Sequence, residues 1–129
     1  MLNDDDVVAT IAVKDLKKAQ KFYQDTLGLK PDSGPQEQTT MTMRSGKSKL
    51  LLYESKFAGT NQATAATWAV DDVPGVVSAL RGKGAKFEHY NNLPGLKVEG
   101  DVHVADGPFR VAWLKDPDGN ILQIVSRRM

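Results

Sequence analysis

The sequence predicts an α+β fold made of two βαβββ modules. One pattern occurs twice: an apolar, β-branched run, then an Asp, then apolar residues at helical spacing. Three strand-like stretches follow each copy. The copies align Val8 with Ala65, about 57 positions apart. A half of about 60 residues buries little core by itself. We therefore expect residues 1–129 to form a single domain, with modules at about 7–56 and 63–126.

The first module is predicted from Val7–Val13, an apolar run typical of a strand. Asp15 is a natural N-cap for the helix that follows, and Gly28 is placed where a helix ends. Its apolar residues recur on one helical face, at Leu16, Ala19, Phe22, Tyr23 and Leu27. We predict the three following strands over 29–33, 37–44 and 48–54.

The second module opens with a predicted strand over Thr64–Val70. Asp72 caps the helix, Pro74 falls in its first turn, and Gly82 or Gly84 ends it. We predict its later strands over 85–88, 101–105 continuing with 109–115, and 120–125, the last two joined by an Asp118-Gly119 turn. The stretch Tyr90–Gly100 is rich in Asn, Pro and Gly and predicts a long loop that acts as a lid.

Composition excludes several classes of function. The chain has 17 basic and 16 acidic residues, and the formal net charge of +1 predicts neither a nucleic acid nor a membrane partner. The absence of cysteine removes disulfides, thiolate metal sites and cysteine nucleophiles, and it suits a cytoplasmic location. The N-terminal Asp4–Asp6 run does not fit a signal peptide. His89 and His103 are the two histidines, and we expect both at the surface or at loop edges, without a ligand role.

Two segments carry a resemblance to a known family. The segment 13–29, Val-Lys-Asp-Leu-Lys-Lys-Ala-Gln-Lys-Phe-Tyr-Gln-Asp-Thr-Leu-Gly-Leu, resembles the opening of the glyoxalase/bleomycin-resistance/dioxygenase (vicinal oxygen chelate) superfamily. The segment 115–123, Lys-Asp-Pro-Asp-Gly-Asn-Ile-Leu-Gln, resembles its closing hairpin. The stretch Trp68–Val73 resembles a branch of small bacterial members. The resemblance implies modules that form a curved, incompletely closed mixed sheet around a central cavity.

The resemblance also locates the family's metal-ligand positions. Enzymes of the superfamily hold one divalent metal with four side chains on the inner faces of the modules. Those positions fall on Val8, Ala65, Gln123, and either Leu50 or Leu51. Hydrocarbon side chains donate no lone pair, and an amide is a poor substitute for a carboxylate. We therefore expect no metal and no other cofactor.

Period-2 alternation assigns side chains to the inner faces. Thr10 shares a face with Ala12, Thr67 shares a face with Ala69, and Trp113 shares a face with Val111. By resemblance the last of these faces lines the substrate pocket, and Trp113 is expected to be the largest ligand contact. Trp68 has the opposite parity and is expected to be core under a helix. The predicted ligand-binding residues are Trp113, Gln123, Tyr53, Thr10, Thr67, Val111, Phe109 and Tyr90.

Three functions remain open from sequence. The leading hypothesis is a metal-free homodimer that binds or sequesters a small, largely apolar or aromatic molecule in the central cavity. The alternative is a lyase, isomerase or dioxygenase-like enzyme with a non-standard site, which needs an acid–base group inside the pocket. The candidates for that group are His89, His103, Glu54 and Glu99. The third is a regulatory or structural subunit whose inner face is filled by its own side chains.

Overall fold

The computed structural model describes residues 1–32 and 39–127. The first module contains β1 (Ala9–Val13), α1 (Leu16–Lys21), β2 (Lys30–Pro31), β3 (Thr40–Ser45) and β4 (Ser48–Glu54). Its sheet has the order β1-β4-β3-β2, in which β1 runs parallel to β4 and the other pairs are antiparallel. A short 3₁₀ turn, Leu2–Asp4, precedes β1. Part of the strand predictions over 29–33 and 37–44 lies outside the described residues.

The second module repeats this plan with additional short strands. It contains β5 (Thr64–Val70), α2 (Val73–Gly82), β6 (Phe87–Glu88), β7 (Lys97–Glu99), β8 (Val102–Val104), β9 (Arg110–Lys115) and β10 (Ile121–Ser126). Its sheet has the order β5-β10-β9-β8-β7, and β6 also pairs with β9. The chain is therefore α+β, with two mixed open sheets, as the repeat predicts. Within the described part of the chain, no helix has both the length and the hydropathy to cross a bilayer.

Both helices begin at the predicted Asp caps. The Asp15 carboxylate accepts from the amides of Lys17 and Lys18, and the Asp72 carboxylate accepts from the amide of Gly75. Such a cap is worth about 1 kcal/mol. The first helix then widens into a π-helical turn over Phe22–Thr26, which the sequence pattern does not reveal.

The loop predicted over Tyr90–Gly100 is partly wrong, because it contains strand β7. Val98 of β7 pairs with His103 of β8 in an antiparallel hairpin. Strand β7 forms because it pairs with β8, and not because its residues favour a strand locally. The Asn, Pro and Gly content of the segment therefore predicts a loop where the structure has a strand.

One hydrophobic cluster joins the helix-facing sides of both sheets. Its strand residues alternate with the exposed ones, as period 2 requires. From the first module they are Ile11, Val13, Met43, Leu50 and Leu52, and from the second Ala112, Leu114, Leu122 and Ile124. Helix residues Leu16, Ala19, Val73, Val77 and Leu80 pack on them. Trp68 is half-buried against this cluster, which confirms its predicted place under a helix.

A buried carboxylate joins the two modules. Asp116, in the β9–β10 turn, accepts from the Tyr23 hydroxyl of the first module at 2.8 Å and from the Asn120 side-chain amide at 2.8 Å. Its second oxygen accepts the backbone amides of Asp118 and Asn120. Burial, followed by the charge of Asp116, raises the pKa of the Tyr23 hydroxyl, which therefore remains a donor. Asp116 therefore both shapes the β9–β10 turn and joins the two modules.

A glycine permits the linker between the two modules, residues 57–62, to approach this turn closely. Gly59 has φ +74, and a Cβ at that position would collide with the backbone carbonyl of Asp118. Asn120 adds a further bond, from its side-chain amide to the Ala12 carbonyl at 2.8 Å. The closing hairpin of the second module is thus fixed against both β1 and the linker.

Candidate functional site

Each sheet has one face turned away from the shared hydrophobic core. We call them the first face, formed by Thr10, Ala12, Leu51 and Tyr53, and the second face, formed by Thr67, Ala69, Val111, Trp113, Gln123 and Val125. Pairing supports the assignment, since Thr10 lies opposite Leu51 and Gln123 lies between Thr67 and Trp113. Most of these side chains are exposed or half-buried, so both faces are open in the single chain.

The second face is built in two rows across its sheet. One row consists of Thr67, Gln123, Trp113 and Glu88, which are direct partners on neighbouring strands. The next row consists of Ala69, Val125, Val111, His103 and Val98. Directly paired residues project to the same side of a sheet, so these side chains share one surface. Glu88, which the strand pattern alone does not place on this face, lies beside Trp113 and forms an ion pair with Lys115 at 3.4 Å.

Gln123 has a fixed orientation on this surface. Its Oε1 accepts the Thr67 hydroxyl at 3.0 Å. Within residues 1–32 and 39–127, its amide nitrogen has no acceptor. The pair therefore presents two N–H donors beside the Trp113 ring, which suits a ligand with a carbonyl or ether oxygen.

Three aromatic rings form a cluster at the centre of the second face. The Tyr90 and Trp113 rings meet edge to face, with centroids 5.2 Å apart, and the His103 and Trp113 rings meet likewise at 4.8 Å. Such pairs contribute about 0.5–1.5 kcal/mol beyond area burial. Trp113 is half-buried, so part of its ring remains open to a ligand.

His103 is completely buried, so the expectation of a surface position is wrong for this residue. The Tyr90 backbone amide donates to its Nε2 at 2.9 Å, which places the proton of a neutral ring on Nδ1. Burial, followed by the charge of nearby His89, lowers the pKa of His103. Its Nδ1 has no geometrically satisfactory partner among the described residues. The rings of Tyr90 and Trp113 pack against His103, and both come from other segments of the chain.

The other acid–base candidates lie away from the second face. Glu54 accepts the Leu16 amide at the start of α1 at 3.3 Å. His89 is exposed and contacts Asp101 at 2.8 Å. Glu99 neighbours Val98 along β7 and therefore projects to the opposite side. Of the four candidates, His103 alone shares a face with Trp113.

The predicted ligand-binding residues divide between the two faces. Trp113, Gln123, Thr67, Val111 and Tyr90 come together on or over the second face. Thr10 and Tyr53 lie on the first face, in a cleft of about 170 Å³ that Ala65 and Ile121 also line. Phe109 is half-buried just before β9. Phe57, an exposed residue between the two modules that is not among the predicted ligand-binding residues, lines the same cleft.

The residues at the family's metal positions do not fit a divalent cation. Leu51 lies on the first face and pairs with Thr10 as Gln123 pairs with Thr67, so it occupies the position equivalent to Gln123. Leu50 is buried in the core. Valine, alanine and leucine offer no donor atom, and glutamine offers one neutral oxygen, which already accepts from Thr67. In the part of the chain that the structure describes, no group of three His, Cys, Asp or Glu side chains converges.

Comparison with known proteins agrees with the architecture. A model of the Glyoxalase/Bleomycin resistance protein/Dioxygenase superfamily matches residues 6–124. The chain belongs to this superfamily. Sequence comparison with functionally curated proteins gives no significant match.

Solved structures of the superfamily share this fold at low sequence identity. A bleomycin resistance determinant encoded on transposon Tn5 superposes with a TM-score of 0.71 at 16% identity, over 97% of this chain and 99% of that one. A glyoxalase family protein from Enterococcus faecalis gives 0.71 at 16% identity, over 98% and 100%. A lactoylglutathione lyase from Agrobacterium tumefaciens gives 0.67 at 18% identity, over 95% and 92%. These similarities establish the fold, and neighbours with different activities share it.

Proposed function

We propose that this superfamily member binds a small, largely apolar or aromatic molecule on the second face, without a metal. The observation that carries the proposal is the half-buried Trp113 ring, held edge to face by Tyr90 and His103 and flanked by the free amide of Gln123. A wide apolar plate with a few oriented polar groups is the usual composition of a small-molecule site. The bleomycin resistance determinant supports the proposal as a neighbour of the same fold.

We propose that the protein is a homodimer of single-domain protomers. In this dimer, a second copy of the chain covers the open faces and encloses the ligand-binding cavity. The support is a set of exposed apolar side chains beside the first face, which includes Phe57 (66% exposed), Val8 (42%) and Tyr53 (38%). Covering such residues is a common reason for pairing in small domains. A cytoplasmic location fits the absence of cysteine.

An acid–base enzyme is the second candidate, and His103 is the residue that favours it. Its ring contacts Trp113 on the ligand-binding face. A general base, however, must reach a substrate proton within hydrogen-bond distance. His103 is fully buried and its Nε2 already accepts the Tyr90 amide, so the geometry favours binding over catalysis.

The test uses tryptophan fluorescence, because the chain has two tryptophans in different environments. In a Trp68→Phe background, 1-anilinonaphthalene-8-sulfonate is titrated as an aromatic probe and quenching of Trp113 emission is followed. We expect saturable quenching. Trp113→Ala in the same background contains no tryptophan, so its probe binding is followed by the emission of the probe itself and is expected to be at least tenfold weaker. Tenfold corresponds to about 1.4 kcal/mol. Trp113→Phe is the milder variant if the alanine variant unfolds.

The remaining outcomes separate the alternatives. Quenching that persists in a Trp113→Phe variant with Trp68 intact, but is absent in the Trp68→Phe background, would locate the ligand on the helix side and contradict the face assignment. Complete lack of saturable binding would favour the ligand-free subunit. Elemental analysis of protein purified without chelators is expected to show no stoichiometric divalent metal. A monomer mass by light scattering at micromolar concentration would count against the dimer.

A further inference from the structure

A second pocket lies on the opposite side of the sheets, where the two modules meet under α2. We call it the helix-side pocket; its walls include Leu29 and Ser45 of the first module and Trp68, Val76, Leu80 and Ile124 of the second. Its volume is about 170 Å³. It shares no lining residue with the second face, so it is independent of the proposed function.

The pocket is apolar and its shape is fixed by an inter-module hydrogen bond. The Trp68 indole Nε1–H donates to the Ser45 hydroxyl oxygen at 2.8 Å. This bond links the indole of the second module to the first module across the boundary between them. Val76 and Leu80 are one helical turn apart on α2 and form the facing wall. Dry apolar cavities of roughly 150 Å³ bind benzene or xenon.

One polar group gives the pocket a chemical preference. Ser45 uses its hydroxyl oxygen as an acceptor for Trp68, and its own hydroxyl proton has no acceptor among the described residues. Among the residues that the structure describes, no charged side chain lines the pocket. Transfer of an ion into such surroundings without a partner is costly. The lining therefore favours an uncharged ring with one hydrogen-bond acceptor.

We propose that the helix-side pocket binds a compact, uncharged, cyclic molecule of about benzene size that carries a single carbonyl-type acceptor for the Ser45 hydroxyl. Trp68 and Val76 are half-buried, which leaves the pocket a route to solvent. The ring packs against Val76, Leu80 and Ile124, and the acceptor lies toward Ser45.

The experiment is an NMR titration of the full chain with three matched probes: cyclohexanone, cyclohexane and cyclohexanecarboxylate. The Trp68 indole N–H resonance reports the pocket and the Trp113 indole resonance reports the second face. We expect saturable shifts of the Trp68 resonance with cyclohexanone, about five- to tenfold weaker affinity for cyclohexane, and no saturation with the carboxylate. The difference between the first two reflects one neutral hydrogen bond.

Variants locate the site and test its chemistry. Val76→Phe fills the pocket from α2 and is expected to abolish binding, whereas Val7→Phe, at an exposed position, is the matched control and keeps it. Ser45→Ala is expected to abolish the preference for cyclohexanone over cyclohexane. Both probes are measured on the same variant, because Ser45→Ala also removes the acceptor of the Trp68 indole. Intermolecular NOEs between cyclohexanone and the Trp68 indole in the unmodified protein test the location even if Val76→Phe fails to fold.

Three results would overturn the proposal. The first is absence of saturable Trp68 shifts, and the second is equal affinity for cyclohexanone and cyclohexanecarboxylate. The third is binding that survives Val76→Phe in a folded protein. Shifts confined to Trp113 would assign the probes to the second face and also count against this pocket.

Discussion

The two modules share a backbone plan but present very different surfaces. In each module, a pair of parallel strands carries a threonine at the same position on the face turned away from the core. This threonine is Thr10 in the first module and Thr67 in the second. The partner of Thr10 is Leu51, whereas the partner of Thr67 is Gln123. One strand further, Thr42 in the first module corresponds to Trp113 in the second. The repeat therefore preserves register while the chemistry has diverged.

The difference teaches where a binding surface is built in such a repeat. The second module has an additional hairpin, β7–β8, and the connection from β6 to this hairpin brings Tyr90 over Trp113. The described part of the first module has a hydroxyl-bearing face with the exposed Tyr53. Added cover, rather than the repeated strands themselves, creates the aromatic cluster.

The largest expected effect concerns the closing turns of the two modules. Asp116→Ala in the β9–β10 turn removes the acceptor of four buried or half-buried donors. We expect it to lower the free energy of unfolding by about 3 kcal/mol, measured by urea denaturation. The matched control is Ser48→Ala in the β3–β4 turn, which loses one exposed bond to the Ser45 carbonyl. Equal losses in the two variants would contradict the special role of the second turn.

An intermediate effect is expected from pH, through His103 of the second face. Burial lowers the pKa of His103 below the ordinary value of 6.5. Between the folded and unfolded pKa values, the unfolded chain therefore binds a proton at this residue and the folded chain does not. This group's contribution to stability is therefore present above pH 6.5 and is lost as pH falls toward the lowered folded pKa. The slope is at most about 1.4 kcal/mol per pH unit.

Denaturation of the His103→Gln variant from pH 7 to 5 tests this expectation. The variant is expected to lose less stability than the unmodified protein as pH falls over that range. His89→Gln removes the smaller cause of the lowered His103 pKa and leaves His103 buried, so this variant is expected to keep most of the pH dependence. Parallel pH profiles for the unmodified protein and His103→Gln would exclude the mechanism.

The smallest effect separates the two equivalent threonines. Thr67→Val removes the bond to Gln123 and is expected to cost about 0.5 kcal/mol, with altered Gln123 side-chain amide resonances in NMR spectra. Thr10→Val removes only an exposed 3.4 Å contact with the Val8 carbonyl and is expected to be neutral. Unchanged Gln123 resonances in Thr67→Val would show that the pair does not orient the amide.

Much of the fold is predictable from local pattern. The bounds of β4 and β5 and the caps at Asp15 and Asp72 agree with the alternation and capping signals. Strand β7 and the π-helical turn escape prediction, because both depend on contacts distant in sequence or on backbone hydrogen bonding without a residue signature.

The candidate site is only partly predictable for the same reason. Period 2 places Trp113 and Gln123 on one face, and the pairing of β9 with β10 agrees. The same rule places His103 and Glu88 opposite Val111 and Trp113 only when the pairing partners are known. The alternation in a short strand shows which of its residues share a face, but it does not show which other strand it pairs with.

The sequence by itself determined the duplication, the helix starts, the alternation of faces and the poor fit of the family's metal positions. The first three follow from residue type and spacing, which act over a few neighbouring residues, and the metal positions follow from the resemblance to the superfamily. Only the tertiary structure decided that His103 is buried, that Asp116 joins the modules, and that Trp68 and Ser45 frame a second pocket. Burial and non-local hydrogen bonds depend on which segments meet, and that choice belongs to the packing of the whole chain.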